Sequence, residues 1–83
     1  MGVDAREEAL KVHAELTRLV AEMCRVSDEL TGISRQLSFD NTVAQNAEIM
    51  ARYHVGHKQL LEMGARRDEL MRTMFDLLGL PYP

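Results

Sequence analysis

The sequence predicts an all-α protein, an antiparallel hairpin of two long amphipathic helices. Apolar residues recur at alternating steps of three and four in both halves of the 83-residue chain, the heptad spacing of helices that pack along a seam. Residues that cap helices flank both periodic segments, and a cluster of turn-forming residues separates them. We therefore expect one helical-hairpin domain over residues 1–83.

The first helix is predicted over about residues 4–37. Asp4 can cap its N-terminus, and Glu7 places a second acid in the first turn, where the helix dipole favours it. The seam that follows keeps the three-four rhythm through Ala9, Val12, Leu16, Leu19, Met23, Val26, Leu30, Ile33 and Leu37. Gly32 weakens the helical pattern near the end, so a helix that breaks at this glycine is the alternative.

The second helix is predicted over about residues 42–79, after a turn at residues 38–42. Thr42 and Gln45 have the spacing of a capping box. The seam of this helix consists of Ile49, Tyr53, Leu60, Met63, Leu70, Met74 and Leu77. Gly79 followed by Leu80 predicts a Schellman ending, in which a left-handed glycine stops the helix.

The two seams also predict a register. A turn near Asp40 sets Leu30 opposite Ile49, Met23 opposite Gly56, and Val12 opposite Arg67. A row of glutamates beside the first seam then meets the second helix in the pairs Glu29 with Arg52, Glu22 with Gln59, Glu15 with Arg66, and Glu8 with Thr73. The alternative is pairing within the first helix, because Glu8, Glu15 and Glu22 each precede a Lys or Arg by three residues.

A second apolar stripe on the second helix is the main functional clue. It lies beside the seam and consists of Met50, His54, His57, Leu61, Met71, Phe75 and Leu78. The first helix adds Leu10, Val20, Ala21 and Cys24 beside its own seam. A lone hairpin does not need these residues for its core, so we expect a homodimeric four-helix bundle, with docking on a larger protein as the competing use. Methionines that merely fill an irregular core are the alternative interpretation of the stripe.

The composition argues against several classes of function. The formal net charge is -3 and basic residues are interleaved with acids, so nucleic acid is not an expected partner. No apolar run approaches the roughly 20 residues that span a bilayer, and the charged N-terminal segment is unlike a signal peptide. We therefore expect no membrane association and a cytoplasmic location. The single cysteine cannot form an intrachain disulfide.

Two weaker patterns suggest chemistry. His54 and His57 have the spacing at which two imidazoles on one helix can share a metal ion, which makes a metal-binding bundle one alternative function. Arg67 places a charge on the seam, so a small helical-bundle enzyme that binds an anionic substrate is another. Neither pattern has the further ligands or acid-base groups that such sites use. We expect no enzymatic activity and no cofactor.

These observations favour a non-enzymatic protein-protein interaction module. Its expected partners are a second copy of the chain and a larger protein, bound through the apolar helical surface. A regulatory, inhibitory or chaperone-like role would suit a protein of this kind.

Overall fold

The protein is an all-α helical hairpin, as the sequence predicts. The computed structural model describes residues 4–82, which form two helices, α1 (Ala5–Ser34) and α2 (Val43–Leu78). The helices run antiparallel and make a rod of 65 × 19 × 17 Å. Neither helix of the described chain has a stretch long and apolar enough to cross a membrane.

Three of the four helix ends lie where the sequence predicts them, at two side-chain N-caps and one glycine C-cap. The Asp4 carboxylate accepts a hydrogen bond from the backbone N–H of Arg6 at 3.0 Å. The Thr42 hydroxyl accepts from the Gln45 backbone, and the Gln45 side chain accepts from the Thr42 backbone, so the predicted capping box is present. Gly79 has a φ of 70°, and the Leu80 N–H donates to the Phe75 carbonyl at 2.9 Å. These bonds form the predicted Schellman motif.

Helix α1 ends at Ser34, earlier than predicted. The chain does not break at Gly32, but Leu37 lies outside the helix and is exposed. The hydroxyls of Thr31 and Ser34 donate to the Ser27 and Thr31 carbonyls, a competition with the helical ladder that weakens a helix end. The last turn then tightens, because the Gln36 N–H donates to the Ile33 carbonyl three residues back.

The predicted register is wrong by about one heptad. A Cβ atom built on Gly56 would lie 2.5 Å from Cδ2 of Leu30, the residue predicted to face Ile49. Met23 approaches Gly64 instead of Gly56. Arg67 shares a groove with Val20 and does not lie opposite Val12.

The connection between the helices explains this shift. Residues 35–42 do not form a tight turn but run beside the start of α2. Asn46 accepts a hydrogen bond from the Ser38 backbone N–H and donates one to the Ser38 carbonyl at 3.0 Å. Arg52 donates to the Gln36 side chain at 2.9 Å, so the end of α1 lies about two turns into α2. The first turns of α2 therefore pack against the connection and not against α1.

The core of the hairpin is thin. Its buried apolar residues are Ala9, Val26, Leu30, Ile49 and Leu70. Within residues 4–82, no side chain is completely shielded and no polar or charged residue is buried. Leu30 occupies the space that the missing side chain of Gly56 leaves, so the closest contact between the helices depends on this glycine. Much of the chain's apolar surface remains available for other contacts.

Candidate protein-binding surface

The predicted stripe on α2 lies largely at the surface of the hairpin. Met50, His54, His57, Leu61 and Leu78 are exposed, and 62% of Leu61 is accessible to solvent. Met71 and Phe75 are half-buried. These residues recur at steps of three and four, apart from one interval of ten between Leu61 and Met71 that equals three steps of the same spacing, so they follow one side of the helix over most of its length.

Helix α1 extends this stripe into a wider surface. One groove of about 270 Å³ lies between the helices and is lined by Val20, Met23, Cys24, Ser27, Leu60 and Arg67. A second groove of about 230 Å³ is lined by Arg6, Ala9, Leu10, His13, Met74 and Leu78. The second groove joins Leu10 of α1 to the stripe residue Leu78 of α2, so these two residues lie on the same side of the hairpin. The helical spacing places Val20 and Cys24 on the same side of α1 as Leu10.

We call this side the apolar face. It consists of Leu10, His13, Thr17, Val20 and Cys24 on α1, and of Met50, His54, His57, Leu61, Gly64, Met71, Phe75 and Leu78 on α2. The α1 residues alternate steps of three and four, as those on α2 do. Ala21 was predicted beside the α1 seam; it is exposed and lies at the edge of this face.

His13 is a member of the apolar face that the sequence interpretation missed. It lines the groove with Leu10 and Leu78. Its position between Leu10 and Thr17 continues the three-four spacing, so the same periodicity could have found it. With His13 included, all three histidines of the chain lie on this face.

Charged side chains line the opposite side of the hairpin. Arg66 donates to Glu15 at 3.0 Å across the helices, as predicted, and to Glu69 at 2.9 Å on its own helix. The bonds from Arg66 to Glu69 and then Glu15 raise the pKa of the arginine. We refer to this side as the charged flank.

The other predicted interhelix pairs are replaced by pairs within α1. Glu8 lies 3.5 Å from Lys11, and Arg25 bonds to both Glu22 and Glu29. The hydrogen bond from Arg25 lowers the pKa of Glu22. Arg52 donates to Gln36 and not to Glu29, its predicted partner. The Thr73 hydroxyl donates to the Glu69 carbonyl and not to Glu8. Of the predicted glutamate row, Glu15 pairs between the helices, and Glu8, Glu22 and Glu29 pair within α1.

The charges beside the middle of the apolar face include one neighbouring pair. Asp68 occupies the helical position between Gly64 and Met71 at which the stripe is interrupted. Arg67 donates to its carboxylate at 3.4 Å. Because the two partly exposed side chains carry opposite charges, this pair adds little net charge to the face. Arg67 is held by a neighbour on its own helix and does not form a buried anion site.

The two histidines of α2 flank a tyrosine. The His57 ring stacks on Tyr53 with centroids 6.0 Å apart, and the His54 ring meets the same tyrosine edge-on at 6.3 Å. No group of three or more His, Cys, Asp or Glu side chains within residues 4–82 is arranged to hold a metal ion. The geometry thus gives these histidines aromatic contacts at the edge of the apolar face.

The C-terminal segment covers part of the face. After the turn at Gly79, the Tyr82 ring packs edge-on against Phe75, with centroids 5.4 Å apart. The Arg72 guanidinium lies 5.5 Å from the centroid of the same tyrosine, a distance at which cation-π attraction operates. Phe75 is therefore less available to a partner than the stripe alone suggests.

The connection at the other end of the rod carries a separate apolar tip. Phe39 is fully exposed, and Leu37 and Val43 beside it are exposed as well. The sequence interpretation treated Phe39 only as part of the turn. An aromatic residue within a turn segment is the signal that could have drawn attention to it.

No protein-family model, curated protein or solved structure matches this chain.

Proposed function

We propose that this protein is a non-enzymatic interaction module that binds another protein through its apolar face. The observation that carries the proposal is the division of the hairpin into two sides. One side presents exposed leucine, valine and methionine side chains along the rod, and the other carries the ion pairs of the charged flank. An extended apolar surface on a small protein is typical of a protein-protein interaction site.

The energetics support a partner for this face. Leu10 and Leu61 are each more than half exposed, at 63% and 62%. Removing apolar surface from water contributes roughly 25 cal/mol per Å², so covering several such residues would stabilise a complex by several kcal/mol before the cost of association. A partner gains this stabilisation without any rearrangement of the thin core.

The shape of the face favours a helical or flat protein surface over a small molecule. Its grooves are shallow and open, and they follow one another along the rod instead of forming one enclosed cavity. An apolar helix face of a partner can follow such a path and place side chains in each groove. Small ligands are usually bound in concave pockets that cover most of their surface.

The role that fits this surface is regulatory, inhibitory or chaperone-like binding of a larger protein in the cytoplasm. Such roles require recognition and no bond-making chemistry. All titratable side chains within residues 4–82 remain at least partly exposed, whereas acid-base catalysis generally relies on groups that burial and close neighbours have tuned.

Affinity capture with two matched variants tests the proposal. Leu61→Glu places a charge on the apolar face, whereas Val55→Glu makes the same change in charge at a 72% exposed position on the same helix but off this face. We expect native host extract to yield a specific partner with the wild type and with Val55→Glu. Leu61→Glu should lose that partner while retaining its helical circular dichroism.

A partner retained equally by both variants would show that another surface does the binding. The apolar tip around Phe39 would then be the next surface to vary. Conversion of a substrate by the purified protein would contradict the non-enzymatic part of the proposal.

A further inference from the structure

The accessible surface of the hairpin is larger than a folded monomer of its mass should have. The chain of 9.4 kDa exposes 6333 Å². The surface-to-mass relation of folded monomers gives about 5,000 Å² for this mass. Roughly 1,300 Å² per chain is thus exposed in excess of what a self-sufficient monomer shows.

The apolar face is large enough for a dimer interface. Its α2 residues run from Met50 to Leu78, which at 1.5 Å per residue is about 42 Å of helix, and the hairpin is 19 Å wide. One side of that length offers roughly 800 Å², so two copies packed along it would bury roughly 1,600 Å² in total, the size of a standard stable interface.

The apolar face carries both exposed side chains and grooves. Leu61 is 62% exposed and lines neither groove, whereas Leu10, which is 63% exposed, forms part of the wall of one of them. The two grooves of about 230 and 270 Å³ lie on the same side between the helices. A two-fold dimer needs one surface that carries both the projecting and the receiving features, because each copy presents the same patch.

The charge distribution favours the same pairing. Each copy carries a formal net charge of -3, which opposes association through surfaces that present unpaired acids. On the apolar face, Asp68 is matched by its neighbour Arg67. The glutamates of α1 that form ion pairs with Lys11, Arg25 and Arg66 lie on the charged flank. Two copies joined through the apolar faces would keep these acids on the outside.

We propose that the occupant of the apolar face is a second copy of this chain, and that the two hairpins form a four-helix bundle. The proposal rests on the proposed function in using the same face. It adds a form of regulation, because a larger partner must then displace the second copy to reach that face. Dimerisation and partner binding exclude each other, so a higher protein concentration weakens partner binding per chain.

Sedimentation equilibrium of the full chain tests the dimer. At about 50 μM, the wild type should have twice the 9.4 kDa mass of one chain. Leu61→Glu should sediment as a single chain, and Val55→Glu should remain a dimer. A monomeric wild type would overturn the proposal, as would a dimer that dissociates with Val55→Glu and persists with Leu61→Glu.

A second measurement uses only the wild type, in case Leu61→Glu fails to fold. In an equimolar mixture of ¹³C-labelled and unlabelled chains, isotope-filtered spectra should show nuclear Overhauser contacts between copies at the Leu61 methyls. The Val55 methyls should show none. Contacts at Val55 without contacts at Leu61 would place the interface away from the apolar face and overturn the proposal.

These outcomes are separable from those of affinity capture. A monomeric wild type that still captures a partner through Leu61 would refute the dimer and leave the proposed function standing. A dimer through the apolar face that captures no other protein would support the second copy as occupant and remove the larger partner from the proposed function.

Discussion

At the scale of single residues, one glycine determines how closely the helices approach. Gly56 faces Leu30, a residue that is 5% exposed, and an added Cβ would lie 2.5 Å from its Cδ2 atom. Since that distance is far below van der Waals contact, a side chain here would force Leu30 or the whole helix to move. Gly32 has no atom within 4 Å of an added Cβ.

Alanine at these two glycines should therefore have opposite effects on stability. Replacing a helical glycine by alanine favours folding by up to about 1 kcal/mol, whereas overpacking a core costs about 1–3 kcal/mol. We expect Gly56→Ala to lower the free energy of unfolding by about 1 kcal/mol and Gly32→Ala to raise it by about 0.5 kcal/mol. Urea unfolding at one fixed protein concentration measures both changes.

This pair of variants also tests the register. If Gly56 faced the flexible end of Met23, as the simple heptad alignment predicts, alanine there would be tolerated. A Gly56→Ala variant as stable as Gly32→Ala would therefore contradict the close contact with Leu30.

The ion pair between Glu15 and Arg66 is the residue contact that links the two helices on the charged flank. Both side chains are about half exposed, so we expect a small favourable coupling that fades as salt screens it. A double-mutant cycle with Glu15→Gln and Arg66→Gln at low ionic strength measures this coupling. The cycle of Glu15 with Lys58 is the control and should show none. Coupling with Lys58 alone would be incompatible with the observed alignment.

At the scale of helices, the sequence predicted the ends better than the pairing. The caps at Asp4, Thr42 and Gly79 depend on residues within one turn of each other, so their spacing is visible in the sequence. The predicted end of α1 was too late because Leu37 continues the three-four spacing of apolar residues. That spacing does not reveal that the hydroxyls of Thr31 and Ser34 compete for backbone carbonyls.

The register could not be determined from the seams alone. A heptad pattern matches itself again after a shift of seven residues, so seam residues face seam residues in either alignment. The charges did not resolve this ambiguity, because a long arginine side chain such as Arg66 can reach a carboxylate more than one position away along the partner helix. The decisive feature is the path of residues 35–42, which depends on hydrogen bonds from Asn46 to residues well before it.

Asn46 should consequently stabilise the connection more than its exposed neighbours do. Its side chain bonds to both backbone groups of Ser38 and to Asn41. We expect Asn46→Ala to lower the free energy of unfolding by about 1–2 kcal/mol, because it removes three hydrogen bonds that hold the connection beside α2, each with a modest net contribution. Glu48→Ala, an exposed change nearby, should stay within about 0.5 kcal/mol. Equal effects in chemical unfolding would show that Asn46 does not hold the connection.

At the scale of the whole molecule, periodicity predicted most of the candidate surface and missed what depends on tertiary structure. The α2 stripe from Met50 to Leu78 lies on one side of the hairpin, joined by α1 as expected. The packing of Tyr82 on Phe75 was not predictable, because it depends on how the chain turns back after Gly79. Nor could the sequence show that Leu10 and Leu78 line one groove between the helices.

The central claim is that a second copy of this chain covers the apolar face, and methyl resonances measured with a soluble paramagnetic agent test it most directly. In an isolated hairpin, Leu10 and Leu61 are 63% and 62% exposed, and Val43 and Val55 are 87% and 72% exposed. If a second copy covers the face, the two leucines should be strongly protected from broadening at 100 μM protein, while the two valines broaden fully. Leucine methyls that broaden as much as the valine methyls would contradict the account.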